Sequence, residues 1–370
     1  MTLRIVFDHQ IFAWQKYGGV SRYIYQLAKN LVLFDDVKVD VVCPFYVNEY
    51  FNSNSDFFKV WGTKIPQIPK SGRLLRALNS YLAPRLIHNL KPDIFHETYY
   101  SNLPFKPRDA KTILTVHDMI HEIFPKSFRE NDLTTQEKLS AINRADHIIC
   151  VSHQTQKDLI RLTEIPIEKT SVVHHGLSPL SFIDVPKKPH FDKPFLLFVG
   201  HRSGYKNFDG LLKAYARSTR LKNHFLLITF GGEKFSNIET DAISKLGLRS
   251  DQIIQIFGSD ETLASLYKQA SCFVYPSLYE GFGIPPLEAM SLGCPVVCSN
   301  VSSIPEVVGN AALFFDPENI EQMTQSIEKC LFDSIVRESM VRNGYQQAKK
   351  YSWEVTAKKT LEIYTKVLST

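Results

Sequence analysis

The sequence predicts an α/β protein made of two doubly wound parallel sheets. Short, continuous apolar segments recur along the 370 residues, and segments of this kind are typical of strands buried on both faces. Helical patterns separate them, and such alternation produces parallel sheets. Residues 184–194 are rich in Pro and Lys and poor in apolar side chains, which indicates a linker. We therefore expect two domains, at residues 1–178 and 186–352.

The first domain opens with a strand at Leu3–Phe7. Gly18 and Gly19 precede an apolar-periodic helix at Ser21–Ala28. Glycines at a helix start let the backbone approach a phosphate or a sugar, although the same pair can be a simple turn. The further strands expected here are Val37–Cys43, Ile94–Phe95, Lys111–Val116, His147–Val151 and Thr170–His174.

A basic stretch extends from Lys70 to Lys91. It contains Lys and Arg but no acid, and leucines recur at every fourth position from Leu74 to Leu90, which is a helical spacing. Pro84 is expected to split or kink this helix. The pattern fits a core-packed helix with a solvated basic face, and it equally fits a peripheral surface for anionic lipid headgroups.

His117 and Asp118 follow the strand Lys111–Val116, at the end of a strand where α/β sheets bind ligands. The imidazole could donate or accept a proton near neutral pH, while the carboxylate orients it or holds a hydroxyl. A purely structural histidine is the alternative.

His96, Glu97 and Tyr99 end another strand of the first domain. Their polar and aromatic groups suit hydrogen bonding and stacking on a sugar acceptor. Ordinary packing would also explain the aromatic cluster.

The second domain begins with an apolar strand at 195–200 and a loop that carries Arg202 and Lys206. Two cations four positions apart before a helix can clamp a diphosphate from both sides, and a solvated basic turn is the alternative. Gly258 ends a later strand, where backbone amides could read the edge of a nucleobase. The other elements expected are a helix at Leu211–Ala216 and strands at Phe225–Phe230, Cys272–Tyr275 and Cys294–Cys298.

Two carboxylates frame the loop after Cys272–Tyr275. Glu280 stands at its mouth, and Glu288 lies inside a helix whose start is marked by two prolines. A glutamate buried in a helix is costly unless it is paired, so Glu288 is predicted to face a polar ligand, with a capping or solvated carboxylate as the alternative. Free N–H groups at the helix start favour an anion or hydroxyls. The loop residues predicted to bind this ligand are Gly281, Phe282, Gly283 and Ile284.

Composition narrows the class of protein. The chain is 44% hydrophobic and 22% charged, with a net charge of +5, as in a soluble protein with two full cores. Its six cysteines include no C-x2-C pair, so we expect buried, reduced thiols. There is no secretory signal pattern and no run of 18 apolar residues. These features predict a cytoplasmic protein, or one on the inner face of the membrane, without a nucleic-acid partner.

The segment E-G-F-G-I-P-P-L-E followed by A-M-S-L-G-C-P-V-V-C-S-N resembles the Glu-x7-Glu signature of retaining glycosyltransferases of family 4. That family has the GT-B fold, two Rossmann-like domains facing across a cleft. The loop at 200–207 matches the family's Gly-x-Arg-x3-Lys-Asn pattern, which favours Arg202 and Lys206 as phosphate ligands. At the hinge the family usually has Asn-Gly where this chain has His175-Gly176, so no role is assigned to His175.

The resemblance implies a role for each motif. Glu280 would hold hydroxyls of the donor sugar, and Glu288 would hold the nucleoside ribose. His117 would contact the donor sugar, the Gly18-Gly19 loop would lie beside the diphosphate, and a C-terminal helix at 353–370 would cross back onto the first domain. The acceptor hydroxyl would attack from the face that the phosphate leaves, and the phosphate would take the proton.

The expected activity is metal-independent transfer of a hexose from a nucleotide sugar to a glycan or lipid-linked acceptor in cell-surface polysaccharide synthesis. Arg202, Lys206 and the helix start could stabilise the leaving diphosphate, and no Asp-x-Asp pair is present for a metal. The motifs resemble those of bacterial O-antigen mannosyltransferases, so GDP-mannose is the first donor expected.

Four alternatives remain open. They are a hexosyltransferase that uses UDP-sugars, a sugar-nucleotide epimerase of the same fold, a pyridoxal-dependent phosphorylase, and a catalytically silent sugar-binding partner. The presence of Arg202, Lys206, Glu280 and Glu288 in one chain argues against the last.

Overall fold

The computed structural model describes residues 2–51, 57–68, 72–102, 105–178, 191, 193–202 and 204–369. The chain divides into two compact units, Met1–Gly176 with Ser352–Thr370, and Leu177–Tyr351. Each unit is a parallel sheet with helices, which confirms the predicted fold class. Most of the linker predicted at 184–194 lies outside the described residues.

The described part of the first unit forms a seven-stranded sheet in the order β3-β2-β1-β4-β5-β6-β7. Every neighbouring pair is parallel, and Ile5 of the first strand lies opposite both Val39 and Ile94. The strand order therefore reverses between β1 and β4. The strands are β1 (Leu3–Phe7), β2 (Val37–Tyr46), β3 (Lys59–Lys64), β4 (Ile94–Glu97), β5 (Lys111–Val116), β6 (His147–Cys150) and β7 (Thr170–Val172).

The strand β3 was not predicted, because it lies at the edge of the sheet and is largely exposed. An edge strand needs no continuous apolar run. The interior strands β4 and β6 are buried at every position, and these apolar segments are the ones that the sequence revealed.

The described residues of the first unit form six α-helices before the linker. α3 continues through Pro84, so the predicted split of this helix is wrong. Its core-facing side chains include Leu75, Ala83 and Ile87, whereas Leu74 and Leu78 are exposed. The helices are α1 (Gln10–Trp14), α2 (Gly19–Leu31), α3 (Gly72–Leu90), α4 (Ile120–Ile123), α5 (Thr134–Arg144) and α6 (His153–Thr163).

The described part of the second unit forms a six-stranded parallel sheet in the order β10-β9-β8-β11-β12-β13. Here the order reverses between β8 and β11. The strands are β8 (Phe195–Val199), β9 (Leu226–Phe230), β10 (Ile253–Ile256), β11 (Cys272–Tyr275), β12 (Val296–Ser299) and β13 (Ala312–Phe315). The helices are α7 (Phe208–Arg217), α8 (Thr219–His224), α9 (Asn237–Lys245), α10 (Asp260–Gln269), α11 (Ile284–Ser291), α12 (Ile304–Val308), α13 (Ile320–Phe332) and α14 (Ser334–Ala348).

The C-terminal helix α15 (Trp353–Leu368) belongs to the first unit and packs against α2. The Ser352 side chain accepts a hydrogen bond from the Val355 N–H, as expected of an N-cap. Trp353 and Tyr364 are buried in the core of the first unit. Residue 370 lies outside the described part.

All six cysteines are buried and free of disulfide bonds, which confirms the prediction of buried thiols. Within the part of the chain that the structure describes, no helix combines the length and the apolar character needed to cross a bilayer.

Candidate functional site

The two loops that follow β8 and β11 meet at the C-terminal edge of the second sheet. Leu278 donates its N–H to the Tyr205 carbonyl at 2.7 Å. The Asn207 side chain donates to the carbonyls of Pro276 and Pro317. Because the strand order reverses between β8 and β11, this edge is the topological switch point, where open α/β sheets bind ligands.

Lys206 and Glu280 form an ion pair at this switch point. The Lys206 Nζ lies 2.7 Å from the Glu280 Oε1, and both side chains are largely buried. The ammonium also lies 5.2 Å and 5.4 Å from the ring centroids of Tyr205 and Tyr275. The structure therefore brings together a cation and a carboxylate that sequence reasoning assigned to one donor site.

Arg202 lies in the same loop but has different partners. Its Nε donates to the Glu239 Oε1 at 2.7 Å, its terminal nitrogens donate to the carbonyls of Gly231 and Glu233, and the guanidinium covers the Phe235 ring. Only 4% of the side chain is exposed. The predicted clamp from both sides is therefore not assembled in this structure, because Arg202 holds the segment after β9.

The loop at 280–283 is held by two serines from the segment after β12. The Ser302 and Ser303 hydroxyls both donate to the Glu280 carbonyl, and Ser303 also donates to the Phe282 carbonyl. Gly283, the N-cap of α11, has φ +101°, a conformation that side-chain-bearing residues rarely adopt. These contacts fix the loop backbone that carries Glu280.

Glu288 lies in the second turn of α11 and is buried. Its Oε2 accepts a hydrogen bond from the Tyr267 hydroxyl of α10 at 3.4 Å. Burial raises the pKa of Tyr267 well above its usual value, and the Glu288 carboxylate adds to this rise. Part of the polar environment predicted for Glu288 is thus a tyrosine of the same unit.

The remaining residues predicted for the donor site of the second unit differ in their position relative to the switch point. Gly281 and Phe282 are buried, and Ile284 begins α11. Gly258 follows the edge strand β10 and is exposed. Since β9 lies between β10 and β8, Gly258 is not part of the Lys206–Glu280 contact.

In the first unit, His117 packs edge-on against Tyr23 of α2, with ring centroids 5.0 Å apart. The imidazole also lies 5.7 Å from the ring of His175, and its Nε2 is buried with no hydrogen-bond partner among the described residues. Burial lowers the pKa of His117 to about 4 against the opposing charge of Asp118. Burial therefore favours the neutral imidazole, which can give or accept a hydrogen bond.

Asp118 lies two residues before the start of α4, and its contacts are with the protein. Its Oδ1 accepts the Ile120 N–H at 3.0 Å and lies 3.9 Å from the Lys138 ammonium. The same ammonium contacts Glu122 at 2.8 Å. The carboxylate remains partly exposed.

Gly18 and Gly19 stand at the N-terminus of α2. The Gln15 Oε1 accepts the Ser21 N–H, and the Gly18 carbonyl accepts the Arg22 N–H. α2 also carries Tyr23, so the helix that starts at the glycines is the one that packs on His117.

His96 and Glu97 require a correction as acceptor ligands. His96 is fully buried, and its ring nitrogens bond to the hydroxyls of Tyr364 and Thr115. Glu97 is almost fully buried and binds Arg144 through both carboxylate oxygens. Both side chains serve the interior of the first unit, and Tyr99 alone of the three is partly exposed.

Sequence reasoning missed the residues that support these sites. Ser302 and Ser303 follow a buried strand, and a cluster of hydroxyls at a strand end was the signal that could have identified them. Tyr267 and Tyr275 gave no signal, because an aromatic residue in an apolar segment is indistinguishable from core packing. His175 was set aside, yet it contacts both His117 and Tyr23.

Two family models match the chain. "Glycosyltransferase Family 4" matches residues 17–179, and "Glycosyl transferases group 1" matches residues 182–347. The two matches correspond closely to the two units.

Individual proteins are also similar. The chain is 30% identical to an Escherichia coli protein, "O-antigen chain mannosyltransferase B", across 94% of this chain and 95% of that protein. It is 28% identical to the E. coli "Serotype-specific mannosyltransferase WbdA" across 76% of this chain but only 38% of that protein.

Among solved structures, the sucrose-phosphate synthase of Thermosynechococcus elongatus matches 99% of both chains, with a TM-score of 0.77 and 18% identity. A likeness at this identity concerns the fold, and together with the two parallel sheets it confirms the predicted GT-B fold.

Proposed function

Because the chain belongs to glycosyltransferase family 4, we propose that it transfers mannose from GDP-mannose, with retention and without a metal, to a glycan of a cell-surface polysaccharide. The observation that carries a nucleotide-sugar site is the Lys206–Glu280 pair at the switch point of the second unit. The choice of mannose and of an O-antigen-type product follows the full-length likeness to O-antigen chain mannosyltransferase B.

Each group at this edge has a proposed task. Lys206 supplies positive charge to the leaving diphosphate in a largely buried setting, where such charge acts strongly. Glu280 holds hydroxyls of the transferring sugar, and Glu288 holds the ribose. The start of α11 adds backbone donors, although Pro285 and Pro286 have no N–H, which leaves the amides of Gly283 and Ile284 nearest the helix start.

In the first unit, His117 is proposed to contact the donor sugar through a hydrogen bond as a neutral imidazole. No side chain is proposed as a covalent nucleophile. The acceptor hydroxyl attacks on the face that the phosphate leaves, and the phosphate oxygen receives its proton. Lys206 and the α11 amides stabilise the charge that develops on that oxygen.

The donor is tested by thermal unfolding of the full chain with a panel of nucleotide sugars, since a ligand raises the apparent stability by mass action. GDP-mannose should raise the Tm more than GDP, UDP-glucose or UDP-galactose at equal concentration. A larger rise in Tm with a UDP-sugar would show that the donor is that UDP-sugar and not GDP-mannose. Conversion of the donor sugar to its epimer without an acceptor would show that the protein is an epimerase and not a transferase.

Metal independence is tested in the transfer reaction itself. Saturating EDTA should leave turnover unchanged, because the positive field at the leaving phosphate comes from Lys206 and the α11 amides. Recovery of lost activity by Mg²⁺ or Mn²⁺ after EDTA treatment would overturn this part of the proposal.

We also propose that α3 contacts anionic lipid. Leu74 is exposed, and Arg85 is exposed on the same helix three turns further along. Exposed leucines and cations on one helix suit a lipid surface. Lys70 and the side chain of Arg73 lie outside the described residues.

The lipid contact is tested with two variants. Leu74→Gln should reduce co-sedimentation with phosphatidylglycerol vesicles, whereas Leu33→Gln, at an equally exposed leucine, should not. An equal loss of co-sedimentation in both variants would refute a lipid-binding surface on α3.

A further inference from the structure

Lys138 lies in α5 with only 1% of its side chain exposed. Lysines are almost never fully buried in proteins unless they are paired, because removing an ammonium from water is costly. A methionine of similar length would fill the same space without this cost. None of the tasks proposed above uses the Lys138 ammonium, so its burial calls for a separate explanation.

The ammonium of Lys138 joins α5 to the segment between β5 and α4. Its Nζ donates to the Asp118 carbonyl at 3.0 Å and to the Glu122 Oε2 at 2.8 Å. The Asp118 Oδ1 lies 3.9 Å away, which is too far for a hydrogen bond but close enough for charge attraction. Lys138 therefore holds the backbone of the segment that begins with His117.

Tyr100, which follows β4, holds the same segment from its other end. The His117 N–H donates to the Tyr100 hydroxyl at 3.3 Å, and the Lys138 ammonium lies 5.3 Å from the centroid of the Tyr100 ring. A cation at this distance over an aromatic ring is attracted to it. The backbone is thus fixed on both sides of the His117 Cα, by Tyr100 at its own N–H and by Lys138 at the carbonyl of the following residue.

The position of this backbone decides where the His117 imidazole lies. The ring packs edge-on against Tyr23, while its Nε2 has no hydrogen-bond partner among the described residues. Packing limits the rotation of the ring, and the backbone sets the point from which the Nε2 is directed. Burial lowers the pKa of His117, and of its charged neighbours Asp118 raises this pKa while Lys138 lowers it. The ammonium is therefore close enough to act on the ring as well as on the backbone.

We propose that Lys138 is a positioning residue for the donor-sugar contact of His117. Its bond to the Asp118 carbonyl holds the segment after β5 at the place where the His117 Nε2 meets a sugar hydroxyl. The ammonium is buried and touches neither donor nor acceptor. This role rests on the proposed function for the sugar contact, whereas the link between Lys138 and the His117 segment stands on the contacts alone.

The test removes the ammonium together with the carboxylate that it neutralises. Lys138→Met alone leaves the largely buried Glu122 without its cation and should destabilise the fold for that reason. The double variant Lys138→Met/Glu122→Gln leaves no unpaired charge there. It is compared with Glu122→Gln, which keeps the bond from the ammonium to the Asp118 carbonyl. Calorimetry gives the Kd values of GDP and GDP-mannose, and the ratio of the first to the second reports the contribution of the sugar.

This ratio should be about tenfold lower in the double variant than in Glu122→Gln, because one hydrogen bond to the sugar is displaced. The Kd of GDP should be equal in the two variants, which a general loss of structure would not allow. Adding His117→Gln to the double variant should lower the ratio no further, since Lys138 acts through His117.

Lys169→Met is the matched control. The Lys169 ammonium also donates to backbone carbonyls of the first unit, those of Ile142 and Asn143 at 3.2 Å and 3.4 Å. These carbonyls lie near the end of α5, away from the His117 segment. Lys169→Met should therefore leave the ratio at the wild-type value.

Hydrogen exchange provides a measurement that needs no donor. The amides of residues 117–120 should exchange about tenfold faster in the double variant than in Glu122→Gln, whereas those of β5 should exchange at equal rates. The inference is overturned if residues 117–120 exchange at the same rate in both variants, if the ratio is unchanged, or if the double variant fails to fold while Glu122→Gln folds.

His117→Gln alone separates this inference from the proposed function. If His117→Gln lowers the ratio and the double variant does not, the inference fails and the sugar contact stands. If His117→Gln has the wild-type ratio, the sugar contact itself is refuted, and the positioning role with it. A donor other than GDP-mannose in the thermal panel would replace the two probes by that donor and its nucleotide, and the same comparison would decide.

Discussion

At the scale of single residues, Lys206 and Glu280 neutralise each other in the donor-free protein. In the proposed reaction, a donor phosphate competes with Glu280 for the Lys206 ammonium, which lies 2.7 Å from the carboxylate. Removal of either charge changes the environment of the other, so the two variants are not independent.

We predict opposite effects on donor binding for the two variants. Lys206→Ala should weaken GDP-mannose binding by about 2 kcal/mol, because a charge-assisted contact is lost from a largely buried site. Glu280→Gln should bind the donor at least as tightly as the wild type, since Lys206 is released, yet lower kcat by roughly 100-fold. Calorimetry gives the affinities and steady-state kinetics gives kcat. Weaker donor binding by Glu280→Gln would mean that the carboxylate strengthens donor binding through its own contacts more than it weakens binding by pairing with Lys206.

Arg202 is predicted to stabilise the second unit whether or not it also meets a phosphate. Arg202→Ala removes one donor from the Glu239 carboxylate and one from each of the two loop carbonyls, which keep their bonds from Ser236 and Gln255, and should lower the free energy of unfolding by about 2 kcal/mol. Glu239→Gln keeps the shape of the side chain and should lower the free energy of unfolding by less than Arg202→Ala does.

Denaturant unfolding measures both effects. Arg202→Ala could instead unfold like the wild type and lose donor binding. The contacts to Glu239 and the loop carbonyls would then contribute nothing to stability, and Arg202 would act only as the phosphate ligand that the sequence predicts.

At the scale of elements, the attachment of α15 to the first unit depends on a close backbone approach. A Cβ placed on Gly176 would lie 2.6 Å from the Trp353 Cα and from its ring atoms. Gly176→Ala should therefore lower the free energy of unfolding by about 3 kcal/mol, because backbone and a buried indole must both move.

The matched control is Gly19→Ala in the first turn of α2, where a Cβ would meet nothing within 4 Å. That change should be neutral or slightly stabilising. Both variants can be compared by thermal unfolding, and equal Tm values for the two would show that the segment at Gly176 yields at little cost.

His96 links three elements, β4, β5 and α15, through its bonds to Thr115 and Tyr364. Burial lowers its pKa to about 3, so the folded state disfavours the protonated ring. The resulting stability is complete above the unfolded pKa of about 6.5 and is lost as the pH falls from there towards 3.

Between pH 6 and 4, His96 should contribute a loss of up to about 1.4 kcal/mol per pH unit. His96→Gln is expected to be less stable at pH 7 but to lose less stability on acidification than the wild type. Urea unfolding at several pH values gives the two slopes, and parallel slopes would show that other groups account for the acid sensitivity.

At the scale of the whole molecule, the features that could be predicted from the sequence are those determined by residues close together in the chain. Continuous apolar strands, the helix start at Pro285 and Pro286, and the loops carrying Lys206 and Glu280 could all be identified, because each depends on residues near in the chain. The edge strand β3 was missed, since a strand with one neighbour and a largely exposed surface has no such signature. The edge strand β13 was missed although all four of its residues are apolar.

The pairing of side chains could not be predicted, because it depends on contacts between residues far apart in the chain. Glu97 and Arg144 are 47 positions apart, and Arg202 and Glu239 are 37 apart. A carboxylate or guanidinium at a strand end has the same appearance in the sequence whether its partner is a ligand or the protein. Arg202, Glu288, His96 and Glu97 are predicted ligand groups that have protein partners of this kind.

Because the two units contain different numbers of buried cysteines, the number of alkylated thiols can report which unit has opened. Cys43 and Cys150 belong to the first unit, and Cys272, Cys294, Cys298 and Cys330 to the second. A thiol-alkylating reagent can reach these sulfurs only when the surrounding sheet opens, so intact-mass spectrometry of a slowly labelled sample should show species with two or four adducts according to which unit opened. GDP-mannose should delay the four-adduct species and leave the rate of the two-adduct species unchanged.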